Sequence, residues 1–161
     1  KMKKMKFILS LIIIFLLVIL QSSLYPHLKI YNAFPNIILI MVLILSVLKG
    51  YKESLMWIIF GGFLLDVFSF NNPIGTSILG LFIVGYLANF FSQNIFKKTS
   101  VFLIILAGIG GSLIYGFFLI SALLIAKTNP QISFNQAISQ IVYNTVILIP
   151  LFYLTKRLIK R

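Results

Sequence analysis

What most limits the folds open to this chain is its division into apolar runs separated by short basic clusters. Across 7–25, 36–48, 54–69, 76–92, 101–126 and 134–155 the only charged residue is Asp66. The hydrocarbon interior of a bilayer has no water to bond exposed peptide groups, so runs of this kind satisfy themselves as helices. The sequence is 60% hydrophobic and 10% charged, against about 25% charged in an ordinary soluble domain. The expected fold is therefore all-α: one integral membrane domain over 1–161, polytopic, with six transmembrane helices at roughly the six ranges above. A basic start followed by an apolar run also suits a secretory signal. However, the chain continues Gln21-Ser22-Ser23-Leu24-Tyr25-Pro26 without a small-residue cleavage site, so the first run is read as a retained helix. The second run is short for a crossing and needs Pro35 and Lys49 at its ends. Pro150 should kink the sixth near its inner end.

Charge supplies the orientation. Of the 14 Lys and Arg residues, all but Lys29 and Lys127 fall at the N-terminus, at Lys49 and Lys52, at Lys97 and Lys98, or in the tail Lys156, Arg157, Lys160 and Arg161. With six crossings these positions share one side of the membrane. The positive-inside rule makes that side the cytoplasm and places both termini there. The expected location is thus a membrane crossed several times with both termini in the cytoplasm, and the lipid bilayer itself is the first partner. The net charge of +12 does not indicate nucleic acid, because the basic residues occupy connections and chain ends and make no continuous basic face.

The inventory for chemistry is thin. There is no cysteine, the single histidine is His27 beside Pro26, and the acids number two, Glu53 and Asp66. Disulfides and thiolate metal sites are excluded. No catalytic, cofactor or metal site is expected, and two acids leave little for general acid–base work.

The stretch 61–75, GGFLLDVFSFNNPIG, carries the strongest local signal. It places Asp66 at the end of an apolar run, where a charge costs about 2.5–3.5 kcal/mol or more and usually finds a partner inside the bundle. A polar turn with Ser69, Asn71, Asn72, Pro73 and Gly75 follows at once. Two roles are open to Asp66, a lock on a helix end or a contact for another protein. At ~1.5 Å per residue from Glu53, Asp66 lies roughly 20 Å along the third helix, in the outer half of the membrane. Ser121, Gln140 and Asn144 fall in the same half, and the amides of Gln140 and Asn144 are expected to donate to it.

Two further patterns stand out. Gln136, Gln140, Tyr143 and Asn144 form one polar stripe on the sixth helix, as glue between helices or as a surface for another membrane protein. Gly108, Ser112 and Gly116 recur every four residues on the fifth. That spacing allows close helix packing within the chain, or between copies in a homo-oligomer. The local sequence GIGGS is not a phosphate loop, since no Gly-Lys-Ser/Thr follows.

Two stretches, 20–50 and 61–87, resemble the bacterial rod shape-determining protein MreD family. The matching positions are Gln21, Ser22, Pro26, Pro35 and Gly50, then Gly62, Leu65, Asp66, Ser69, Pro73 and Gly75, with Gly85-Tyr86 beyond. The chain departs at Asn36, where members often carry aspartate. The resemblance implies a non-enzymatic membrane scaffold of the cell-elongation machinery. Such a protein binds MreC, a bitopic protein with a periplasmic domain, and through it links MreB filaments to wall-synthesis enzymes. It also implies a fold similar to the six-helix substrate-binding subunits of ECF vitamin transporters. The rival reading is such a subunit itself, binding a small vitamin-type molecule through Asp66, Gln140 and Asn144. Those subunits commonly dock their energising module through small residues spaced by three on the first helix, where this chain offers only Ser10 among bulky side chains.

Overall fold

The computed structural model describes residues 2–28, 33–69, 73–95, 100–127 and 133–159. The turn residues Asn71 and Asn72, and the topology markers Lys29, Lys97, Lys98, Lys160 and Arg161, lie outside this set. Among the described residues there are six helices: α1 Met2–Leu28, α2 Ile37–Leu48, α3 (51–68), α4 Thr76–Asn94, α5 Val101–Ile125 and α6 Phe134–Ile159. By length and hydropathy α4, α5 and α6 can each cross a membrane, while α2 and the apolar part of α1, Phe7–Ser23, are shorter. Helix α1 runs past its expected end at 25 to Leu28, and α6 continues as one helix through Pro150.

The core forms around α2. This helix is apolar almost all round, and Ile38, Leu39, Ile40, Val42, Leu43, Ile44, Leu45 and Ser46 are all buried. A helix without a polar face has to be enclosed, and α2 packs against α1, α3, α4, α5 and α6. Its 12 residues span only about 18 Å, against a hydrocarbon core of about 30 Å. At one end Lys49 is exposed, and Gly50, at φ 93, turns the chain with its N–H on the Leu45 carbonyl (3.1 Å). The other end therefore stops inside the protein. The segment leading into it is buried and non-helical, with Ala33, Pro35 and Asn36 all enclosed. Backbone outside a helix that is enclosed in this way has to find its hydrogen-bond partners in the surrounding protein.

Helix α3 is built in three pieces: an α-helical start Tyr51–Met56, a π-helical turn Trp57–Gly61 and an α-helical end Gly62–Phe68. The wide turn has a geometric consequence. Ser54, Ile58, Gly62 and Asp66 are all buried, at strict four-residue spacing. At 100° per residue, a regular α-helix would rotate Asp66 about 120° away from Ser54. One residue absorbed by a π turn reduces that to about 20°, keeping all four on the interior side.

Close approach between helices is concentrated at glycines. A Cβ at Gly62 would meet the backbone N and Cα of Ile78 at 2.9 Å, so α3 and α4 touch there almost main chain to main chain. A Cβ at Gly108 would meet Oγ1 of Thr145 at 2.9 Å and its Cα at 3.2 Å, which places Gly108 against α6. Gly116 differs, with nothing within 4 Å of an added Cβ.

Candidate functional site

Two helix N-termini lie side by side within this bundle, and each is capped by side chains from other helices. The first four N–H groups of any helix lack partners inside it. Where the end is buried, those donors have to be satisfied by the protein.

For α2 the donors are met from three directions. Asn36, the N-cap, accepts the Leu39 N–H on its own Oδ1 (3.0 Å). The Ile37 N–H donates to Oε1 of Gln21 on α1 (2.9 Å), and the Asn36 N–H donates to Oδ1 of Asn144 on α6 (2.8 Å). The second half of the Asn144 amide is also used, with Nδ2 donating to Oγ of Ser112 on α5 (3.1 Å). Gln21, Asn36, Ser112 and Asn144 are all buried. The amide of Asn144 thus joins α2, α5 and α6.

For α4 the cap comes from Asp66. Gly75 holds the N-cap position at φ 98, where an L side chain is disfavoured, and it has no side chain with which to cap. Pro73 begins the turn, its carbonyl accepting the Thr76 N–H (3.2 Å). Asp66, at 2% exposure, reaches across from α3. Its Oδ2 accepts the Gly75 N–H (2.7 Å), and its two oxygens share the Ser77 N–H (3.0 and 3.2 Å). A carboxylate at this place also meets the positive end of the α4 dipole. The contact of Gly62 with Ile78, one turn earlier on α3, brings the α4 N-terminus within reach. Ser69 ends α3, its N–H bonded to the carbonyls of Leu65 and Asp66.

The two capped ends are joined. Oγ of Ser77 shares a 2.9 Å hydrogen bond with the hydroxyl of Tyr115, a buried phenol on α5. Tyr115 fits there because Gly80 clears its ring, an added Cβ at Gly80 lying 3.0 Å from Cδ2. Hydrogen bonds therefore run from Asp66 through Ser77 to Tyr115, and from Asn36 through Asn144 to Ser112, and with α5 carrying both Tyr115 and Ser112 this polar thread draws on five helices.

The expected donors to Asp66 were the amides of Gln140 and Asn144; the donors found are the backbone N–H groups of Gly75 and Ser77. The reason is proximity, because Gly62 seats α4 directly on α3 while Asn144 is taken up by α2 and α5. Of the polar stripe on α6, Asn144 is buried and Gln136, Gln140 and Tyr143 are half-buried. Gln140 has no hydrogen bond to the described residues, and Ser121 is half-buried outside the thread. Of the small residues on α5, Gly108 and Ser112 face α6. Ser77 and Tyr115 were not singled out by sequence reasoning. The available signal was Tyr115 itself, a phenol in the middle of an apolar run, away from the interfaces where tyrosine concentrates. Among the described residues no group of three or more His, Cys, Asp or Glu is placed to hold a metal.

Compared with known proteins, residues 2–161 match the model of a family described as rod shape-determining protein MreD. No curated protein and no solved structure matches the chain.

Proposed function

The chain belongs to the MreD family of rod shape-determining proteins, and from that premise we propose that it is a non-catalytic membrane scaffold which holds a bitopic MreC-like partner. Through that partner it connects MreB filaments to the enzymes of wall synthesis. It crosses the cytoplasmic membrane six times with both termini inside, which sets the α2 and α4 N-termini in the outer half, toward the partner's periplasmic domain. The single observation that carries the scaffold reading is the use made of the polar side chains. Asp66, Asn144, Asn36 and Ser112 are buried and bonded to helix ends and to one another. A small-molecule site in the outer half would need such groups free to meet a ligand. A frame needs them committed, because a committed network fixes how the helix ends stand relative to each other. The proposed mechanism is therefore static: the polar thread holds α2, α3, α4, α5 and α6 in one arrangement, and the partner reads that arrangement. Affinity purification in mild detergent tests it. Recovery of a single-span protein with a periplasmic domain is the expected result, and recovery of an ATPase module instead would reject the scaffold in favour of a transporter subunit.

A further inference from the structure

At the end of the bundle that carries Lys49, Lys52, Lys156 and Arg157, helices α1, α2 and α3 do not close on one another. They leave a cleft of about 790 Å³, within the size range of ligand sites. Its lining is divided by chemistry. Lys49, Lys52 and Glu53 stand at the mouth, all exposed, and none forms an ion pair with the described residues. Phe7, Leu45 and Met56 line the wall, together with Trp57, which is 7% exposed. Tryptophan concentrates at the level of lipid headgroups, so Trp57 marks the depth at which the polar mouth gives way to the apolar wall. Two cations against one anion leave the mouth net positive. A ligand that suits this division carries a phosphate at one end and hydrocarbon at the other.

We propose that the cleft between α1, α2 and α3 is a binding site for one anionic phospholipid, with its phosphate at Lys49 and Lys52 and its acyl chains along Phe7, Leu45 and Met56. The charge argument commits the site to an anionic lipid over a zwitterionic one. Lysine near a membrane surface gains appreciably from anionic lipid, and two lysines converging on one cleft localise that gain. A bound lipid also fills the gap between α1 and α3 and so seats the two helices together, where Phe7 already meets Phe60 edge-on at 6.3 Å between ring centroids. The proposal needs only that the chain is a membrane protein, and it stands or falls separately from the scaffold reading.

Trp57 is the sole tryptophan and lines the cleft, so its fluorescence is a local reporter. The full chain is placed in nanodiscs containing phosphatidylglycerol or phosphatidylcholine, each brominated on the acyl chains and at equal mole fraction. Quenching of Trp57 by the brominated anionic lipid should exceed that by the zwitterionic one at least about twofold. The preference should disappear in Lys49→Gln/Lys52→Gln, weaken in each single variant, and grow in Glu53→Gln. Lys156→Gln/Arg157→Gln removes charge from the same end of the bundle outside the cleft and should leave it unchanged. Equal quenching by the two lipids in the parent overturns the proposal. So does a preference that survives loss of both lysines, or one that falls equally with Lys156 and Arg157, which would mark diffuse attraction and no site.

Discussion

Replacing Asn144 by leucine is the sharpest test of the idea that α2 is a short helix whose buried end is capped by its neighbours. Asn144 is 1% exposed, accepts the Asn36 N–H at 2.8 Å and donates to Ser112 Oγ at 3.1 Å. Leucine is of similar size and apolar, so the packing survives while both bonds are lost. The Asn36 N–H is then left buried without an acceptor, at a cost of about 1–3 kcal/mol. The Ser112 hydroxyl loses a donor but keeps the α5 backbone within reach, which adds a few tenths at most. Interhelical hydrogen bonds in bilayers average only about 0.6 kcal/mol, so the expected total is about 1–3 kcal/mol, most of it from the orphaned amide. For a chain of this size that lowers the melting temperature by roughly 2–12 °C. Ser112→Ala leaves the Asn36 N–H satisfied and strands one N–H of the Asn144 amide instead, so it should cost no more than Asn144→Leu. The double variant should then cost less than the sum, because the two residues share one bond. Thermal stability in detergent, followed by loss of the monodisperse elution peak, measures all three. If Asn144→Leu melts with the parent, or Ser112→Ala is the worse of the pair, the capping account of α2 is wrong.

Gly62→Val should sharply reduce folded yield, because its Cβ meets main-chain atoms of Ile78 at 2.9 Å, whereas Gly116→Leu should accumulate like the parent; elution profiles of both variants decide this. Tyr115→Phe and Ser77→Ala each remove one partner of the same 2.9 Å bond, so a double-mutant cycle on melting temperature should return a coupling of about 0.5–1.5 kcal/mol, and strict additivity would remove that link from the thread. A reporter active only in the cytoplasm, fused after Arg161, should be active, and labelling from the cytoplasm of a cysteine introduced at Asn71 would reverse the proposed orientation.

The helices were legible in the sequence because apolar runs of this length admit little else, and the breaks at Gly50 and at Pro73 with Gly75 are ordinary helix-end chemistry. Asp66 was legible as an anomaly, an acid where acids are costly. Its partners were not, since the groups that meet it are backbone N–H groups, which every residue but proline owns. Distance along the chain does not show which of them is left unbonded at a buried end. The amides of Gln140 and Asn144 misled for a related reason: shared depth was read as contact, while α6 turns Asn144 toward α2 and leaves Gln140 half-buried. The π turn at Trp57–Gly61 was not legible, because Ser54, Ile58, Gly62 and Asp66 lie in a run that is apolar on nearly every side and shows no period. The cleft beside Trp57 depends on how α1 leans, and no local pattern encodes that.

Capping of α4 by Asp66 is put to its sharpest test by amide hydrogen exchange at Ser77 in the parent and in Asp66→Asn and Asp66→Leu. The second amide of an uncapped helix has no partner within the helix, so the hydrogen-bonded share of the protection of Ser77, beyond what burial alone gives, comes from Asp66. With the cap in place, Ser77 in the parent should exchange as slowly as Leu81 in the body of α4. Asp66→Asn, which keeps one acceptor oxygen, should exchange faster, and Asp66→Leu faster still by at least about tenfold, with Val84 unchanged in all three. A Ser77 amide that exchanges freely in the parent, or one equally protected in Asp66→Leu, would contradict it.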